Sequence, residues 1–343
     1  MTQSNAQAVP SEAKPVTMIQ ALNAALADAM AADDKVILLG EDIADPEGGG
    51  VIGITNGLST RFGEARVRST PIAEQAIVGA AIGASLAGYK PVAEIMLMNF
   101  TTVAMDMIVN HAAKLRFMSG GQTNVPIVIR TMTGTGFSSG GQHCDYLEAW
   151  FAHTPGMKVV APSNPADAYG LLRAAIDDPD PVLFIENMPN AWMSGPAPIR
   201  DSVVALGSAR VLCAGDDVTI VSYSRVLNEA SAALDAIRDA GISAELIDLR
   251  TVSPWDRETV IASVRKTGRC LVAHEAVTEF GVGAEIAATL SSELFGQLKA
   301  PVARLGAPYA PVPFAKPLED AYAPNAARIA DAVIKMIQGD GAK

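Results

Sequence analysis

Two side chains in this sequence are candidates for moving protons. Glu74 opens Glu74-Gln75-Ala76-Ile77-Val78-Gly79-Ala80-Ala81-Ile82-Gly83, a stretch made almost wholly of small and apolar residues. A carboxylate there complements the partial positive charge of a helix N-terminus, and that alone would account for it. The small residues behind it also let a helix pack closely on its surroundings. That would set Glu74 at a crowded interface, where a desolvated carboxyl can serve as a proton-handling group. His143 is one of four histidines, with His111, His153 and His274. It follows Gly134-Thr135-Gly136-Phe137-Ser138-Ser139-Gly140-Gly141, a run too glycine-rich to be a helix. An imidazole on a flexible loop after a strand suits acid–base work; the plain alternative is a solvent-exposed loop histidine. Cys144, Cys213 and Cys270 are far apart and show no metal-ligand spacing, as expected of a reducing, cytoplasmic setting.

The elements that must position these groups follow from patterning. The chain has 343 residues, 49% hydrophobic and 5% aromatic, which suits close helix-on-sheet packing. A net charge of −11 argues against nucleic acid as a partner, since that affinity rests on basic contacts to phosphate. No apolar run approaches the ~18–20 residues of a membrane span. Strand candidates at Val36–Leu39, Val92–Ile95, Val125–Arg130, Lys158–Ala161 and Val182–Ile185 alternate with helix candidates at 17–32, 74–88, 101–117 and 164–177. After the turn-rich segment 187–204 the rhythm restarts, with strands at 218–222, 244–248 and 270–273. The expected fold is α/β, in two domains with mostly parallel sheets. Its parts are a flexible tail 1–16, a first domain 17–190, a linker 191–204 and a second domain 205–338. Parallel sheets bind ligands beyond the carboxyl ends of their strands, so the loops there weigh most.

An ordered set of motifs carries a resemblance. Thr70 to Gly83, Glu94-Ile95-Met96-Leu97-Met98-Asn99-Phe100 and Asn110-His111-Ala112-Ala113-Lys114 come first. Gln142-His143, Phe151-Ala152-His153-Thr154-Pro155-Gly156 and Val159-Val160-Ala161-Pro162 follow. Asp248-Leu249-Arg250-Thr251, His274-Glu275, Pro311-Val312-Pro313-Phe314 and Leu318-Glu319 complete the set. Over about 17–338 the chain resembles the beta subunits of the thiamin-diphosphate-dependent pyruvate, branched-chain 2-oxo acid and acetoin dehydrogenases.

The resemblance implies transketolase-like pyrimidine-binding and C-terminal domains. It implies cleavage of a carbon–carbon bond next to a carbonyl, with the acyl group passed to a lipoyl acceptor. It makes Glu74 the partner of a ring nitrogen of the cofactor's aminopyrimidine, promoting proton loss from the thiazolium carbon. Met96 would wedge under the bent cofactor, Phe100 would pack on the pyrimidine, and His143 would face the substrate. From spacing alone, Met96 and Phe100 read as ordinary core. His153 reads as structural, while His111 and His274 carry no assignment. Ile127, Ala175, Ile176, Asp178 and Asp180 match a structural potassium site of some relatives; the bland alternative is a helix-end turn at Asp177-Asp178-Pro179-Asp180.

Gly281-Val282-Gly283 precedes a helix but lacks the third glycine and acidic partner of a dinucleotide fingerprint. Gly339-Asp340-Gly341 imitates the start of a thiamin-diphosphate pyrophosphate motif, yet only two residues follow where a later asparagine is needed to help hold Mg²⁺. By resemblance, then, the pyrophosphate and Mg²⁺ belong mainly to an alpha subunit. The assembly would be a heterotetramer of two alpha and two beta chains, able to dock a lipoyl acyltransferase core. Two departures bear on the substrate. His143-Cys144-Asp145 replaces the family's frequent His-Ser-Gln and puts an acid beside the histidine. Gly49 to Leu58 looks closer to acetoin dehydrogenases than to the pyruvate or branched-chain enzymes. A stand-alone acyloin or diketone lyase or carboligase is the alternative. A non-catalytic scaffold subunit is a third reading, against which both Glu74 and His143 stand.

Overall fold

The computed structural model describes residues 14–339. A seven-stranded sheet forms the centre of the first domain. Its order is Thr251–Ser253, Lys158–Val160, Val182–Asn187, Val128–Thr133, Lys90–Leu97, Val36–Gly40 and Val67–Ser69. Every neighbouring pair is parallel except the first. Val36–Gly40, Val128–Thr133 and Val182–Asn187 are buried throughout, as expected of parallel strands covered on both faces. Met18–Ala32 is fixed at its start by a capping box of Thr17 and Gln20. It packs with Pro165–Asp177 on one face of the sheet, and the Glu74–Leu86 helix packs on the other.

The second domain has a five-stranded sheet in the order Ala303–Ala307, Cys270–Val277, Val218–Ser222, Ala244–Asp248, Arg210–Cys213, with only the last pair antiparallel. The two-sheet, mostly parallel α/β architecture is the one the patterning implies. Four details differ from it. Val16 is not tail but pairs with Gly195, and Ser194–Gly195 inside the expected linker forms that short ribbon; residues 1–13 lie outside the described chain. The 101–117 helix is a 3-10 turn at Met98–Ala104, a π-helical turn at Met107–Ala112 and an α-helix at Ala113–Met118. The strand expected at Val125–Arg130 runs over Val128–Thr133. Thr251–Ser253 leaves the second domain to pair with Lys158–Val160, extending the first domain's sheet.

Polar groups also bind the two domains. The Tyr223 hydroxyl donates to Glu148 Oε1 at 2.6 Å, Ser163 donates to Asp248, and Arg250 meets Asp167 at 3.2 Å. Glu148 has 0% exposure, and burial pushes its carboxyl up to about 8, partly offset by the Tyr223 hydrogen bond. Such a group keeps its proton in the folded chain while ionising near 4.5 when unfolded. It therefore lowers stability progressively between those pH values, and the loss levels off above the folded value. Glu148→Gln has no proton to lose. Its stability relative to the parent is expected to climb by up to about 4 kcal/mol from pH 5 to pH 8 and to plateau beyond. Urea denaturation of both proteins at matched pH measures this; a pH-independent difference contradicts the buried, protonated state of Glu148.

Candidate active site

Glu74 is the first residue of its helix and is half-buried at the carboxyl end of the edge strand Val67–Ser69. Its carboxylate makes no hydrogen bond or ion pair with another described residue. Glu41, at the end of the neighbouring Val36–Gly40 strand, is 6% exposed; burial first, and then the charge of Glu74, push its carboxyl above the ordinary range. Dipole complementation gives no reason to bring a second acid so close, since like charges raise the cost of ionisation. An unpaired acid beside a buried one is the kind of arrangement found where protons are handled.

Met96 sits where the register between Lys90–Leu97 and Val128–Thr133 shifts, between Ile95 and Leu97. A bulge of this kind re-aims the extra side chain at the end of a strand. The 3-10 turn that follows carries Phe100, packs against the Glu74 helix and reaches the His143 turn, so one segment links both proton-handling groups. The Phe100 and His143 rings meet edge to face, with centroids 5.6 Å apart. Asn99 clamps the same turn: its Nδ2 donates to Gly141 O and to Asp145 Oδ2, both at 2.9 Å, and its Oδ1 accepts from Asp145 N. His143 Nδ1 is buried without a hydrogen-bond partner among the described residues. Asp145 is raised by its burial and lowered by the Asn99 contact. Cys144 is buried, and desolvation lifts its thiol to about 11, so it is no nucleophile near neutrality. Asn99 and Glu41 were not distinguished by sequence: one lies inside a motif without a charge of its own, the other in an ordinary strand end.

The remaining histidines play other parts. His274 is fully buried, and desolvation brings it down to about 4. Gly281 and Gly283 lie against its ring; a Cβ on Gly283 would come within 2.7 Å of Nε2. Close packing, not a phosphate, explains that glycine pair. His153 is exposed and lines a cleft of about 1260 Å³ between the domains, together with Trp150, Glu275 and Phe280. His111 is exposed beside Asp106.

Ile127, Ala175, Ile176, Asp178 and Asp180 gather where Pro165–Asp177 ends, and four of them have partners of their own. Both carboxylate oxygens of Asp178 hold Lys158, at 2.6 and 2.7 Å, and Asp180 holds Arg116 at 2.7 Å. The carbonyls of Ile127 and Ala175 accept from Val182 and Asp178. Two cationic side chains, Lys158 and Arg116, neutralise the acids there. By contrast the unpaired Glu74 carboxylate, the half-buried Met96 and Phe100, and the orphaned His143 nitrogen fit the aminopyrimidine end of thiamin diphosphate and its substrate.

Comparison with known proteins agrees with this architecture. Residues 14–191 match the pyrimidine-binding domain of transketolase and 207–329 match the transketolase C-terminal domain. The chain is 42% identical to the beta subunit of acetoin:2,6-dichlorophenolindophenol oxidoreductase from Cupriavidus necator, over 95% of this chain and 99% of that one. It is 44% identical to a mitochondrial pyruvate dehydrogenase E1 beta subunit of rice, Oryza sativa, over 92% of this chain and 84% of that one. A split-gene transketolase, solved as an inactive beta4 tetramer, shares the fold with a TM-score of 0.78 at 23% identity, covering 95% of this chain and 99% of that one. With its two transketolase-type domains matched in order and its identity sustained over nearly the whole length, the chain belongs to the family of beta subunits of the acetoin and pyruvate dehydrogenases.

Proposed function

We propose that the chain is the beta subunit of a thiamin-diphosphate-dependent acetoin or 2-oxo acid dehydrogenase, cleaving a carbon–carbon bond next to a carbonyl and delivering the acyl group to a lipoyl acceptor. The observation that carries this reading is that the 98–104 turn, which follows Met96 and carries Phe100, packs on the Glu74 helix and meets His143. When bound, thiamin diphosphate supplies the positively charged thiazolium that accepts the electrons of the cleaved bond. Glu74 holds and exchanges a proton at a ring nitrogen of the aminopyrimidine. Met96 and Phe100 orient that ring and keep water from it. His143 handles a proton at the substrate's reacting oxygen, its ring angle set by Phe100 and the Asn99 clamp.

The site is incomplete in one chain. Ile72 is 83% exposed just before Glu74, and Ala76, Ala80 and Gly83 line an exposed face of the Glu74 helix. Exposed apolar surface beside a proton-handling group supports a subunit interface there. The partner is an alpha chain that brings the pyrophosphate and Mg²⁺ site, in a heterotetramer with beta–beta contacts and a lipoyl acyltransferase core. The potassium reading rests on resemblance alone. No described helix is long and apolar enough to cross a membrane, and three free cysteines fit a reducing, cytoplasmic setting. The 41–57 loop bears on acyloin substrates: it sits at this same edge, with Gly50 against the Glu94 carboxylate, where a Cβ would fall 2.7 Å from Oε1.

Calorimetry with Mg²⁺ tests the split site. The isolated chain is expected to bind thiamin diphosphate weakly and the reconstituted alpha–beta complex tightly; tight one-to-one binding by the chain alone contradicts it. In the same complex, His143→Ala is expected to lower turnover by about 10²–10⁴ with cofactor affinity nearly intact. Assays with pyruvate, branched 2-oxo acids and acetoin and a dye acceptor read this out. Full activity with every competent substrate returns His143 to an ordinary loop residue.

A further inference from the structure

The loop that delivers His143 makes few hydrogen bonds of its own among the described residues. Gly134, Gly136 and Gly140 have φ of 120°, 130° and 71°, and Ser138 also lies in the left-handed region at 52°. Glycine at such positions is sterically easy but loses much entropy on ordering. Something must capture the loop's backbone N–H groups, and the second domain does so. Glu319 is 2% exposed; its Oε1 accepts from Gly136 N at 2.7 Å, and its two oxygens accept from Ser138 N at 3.1 and 3.0 Å. Glu275 is 4% exposed; its Oε1 accepts from Thr135 N and Oγ1, and its Oε2 from Asn187 Nδ2. Arg225 Nη1 adds a bond to Thr135 O at 3.0 Å. Pro311 and Phe314 close on Gly141 and Gly140, where an added Cβ would stand 3.4 and 3.3 Å away.

Burying a carboxylate is costly unless donors surround it. Among the described residues the donors to Glu319 all come from the loop, so Glu319 and the loop depend on each other. Glu275 shares its oxygens between Thr135 of the loop, Asn187 and the nearby Arg225. We propose that Glu319, backed by Glu275, is a positioning residue for His143, making the histidine's acid–base competence depend on the docking of the second domain. This rests on the reading of His143 as the substrate-side proton carrier.

The test uses the reconstituted alpha–beta complex with Glu319→Gln, nearly isosteric but presenting an NH₂ group to backbone donors. Glu319→Asp, which keeps the charge and withdraws it by one methylene, is the second variant. Turnover is expected to fall about 10–100-fold, as for a misplaced catalytic group, while calorimetric cofactor affinity stays at the parent value. Amide hydrogen exchange is expected to quicken in peptides covering 134–143 and to stay unchanged in Lys90–Leu97. Combined with His143→Ala, the Glu319 substitution is expected to cost nothing further, because a positioning residue acts only through the group it positions. Additive losses, or lost turnover with unchanged loop exchange, overturn the proposal and leave His143's role standing. Full activity of the single His143→Ala variant overturns the reading of His143 and the positioning role with it.

Discussion

Arg130, 1% exposed, lies between carboxylates from the strands on either side of its own. Its Nη1 meets Glu94 at 2.8 Å, and its Nε meets Glu186 at 2.7 Å. Burial lifts Glu186 to about 7, with Arg130 pulling in the opposite direction. Such an arrangement adds little net stability, yet breaking it leaves a buried charge uncompensated. It therefore dictates register across the three central strands, because a one-residue slip would turn the charges to the opposite face. Those strands launch the functional loops. Met96 stands two residues beyond Glu94, the His143 loop begins soon after Arg130, and Asn187 follows Glu186. Gly50, in the left-handed region at φ 82°, lies against that same Glu94 carboxylate, where a Cβ would fall 2.7 Å from Oε1. The site's layout is thus fixed by a buried charge cluster below it.

Above that cluster the chain depends on a second domain for order. Thr251–Ser253 completes the first sheet, Tyr223 satisfies Glu148, and Glu275 and Glu319 fill the hydrogen-bonding demand of a loop with no regular structure. The two domains share one buried apolar cluster, and these polar groups are set around it. The domain junction and the His143 loop are therefore parts of one network, and the alpha-subunit contact proposed beside Glu74 would extend it to another chain.

Much of this was legible in the sequence where period and local chemistry agree. The alternation of β-branched runs with Ala-rich helices gave parallel sheets, and local chemistry singled out Glu74 and His143. Met96 and Phe100 read from spacing as ordinary core and entered only through the family resemblance. What escaped has particular causes. The bulge at Met96 changes register without changing composition. The 101–117 pattern is helical in period, but its geometry is reset by packing between the Glu74 helix and the His143 turn. Thr251–Ser253 is too short to announce a strand, and its partner lies about ninety residues away in another domain. The turn-rich 191–204 segment reads as a linker, although Gly195 packs on Pro165 and pairs with Val16. Glu275 and Glu319 stood in plain view within matched motifs, but only tertiary structure shows which N–H groups they serve.

In the proposed function the Glu74 carboxylate, which pairs with no other described residue, exchanges a proton with the cofactor's aminopyrimidine. Glu74→Gln keeps the side chain's length and a hydrogen-bonding group, so folding should be nearly unaffected. Proton–deuterium exchange at the thiazolium carbon of thiamin diphosphate in the reconstituted alpha–beta complex, measured beside a thermal melt, separates catalysis from capping. The expected result is exchange slowed by about 10²–10⁴, or roughly 3–5 kcal/mol of barrier, with the melt nearly unchanged. Parent-like exchange accompanied by a stability loss of about 0.3–1 kcal/mol would show instead that Glu74 only complements its helix.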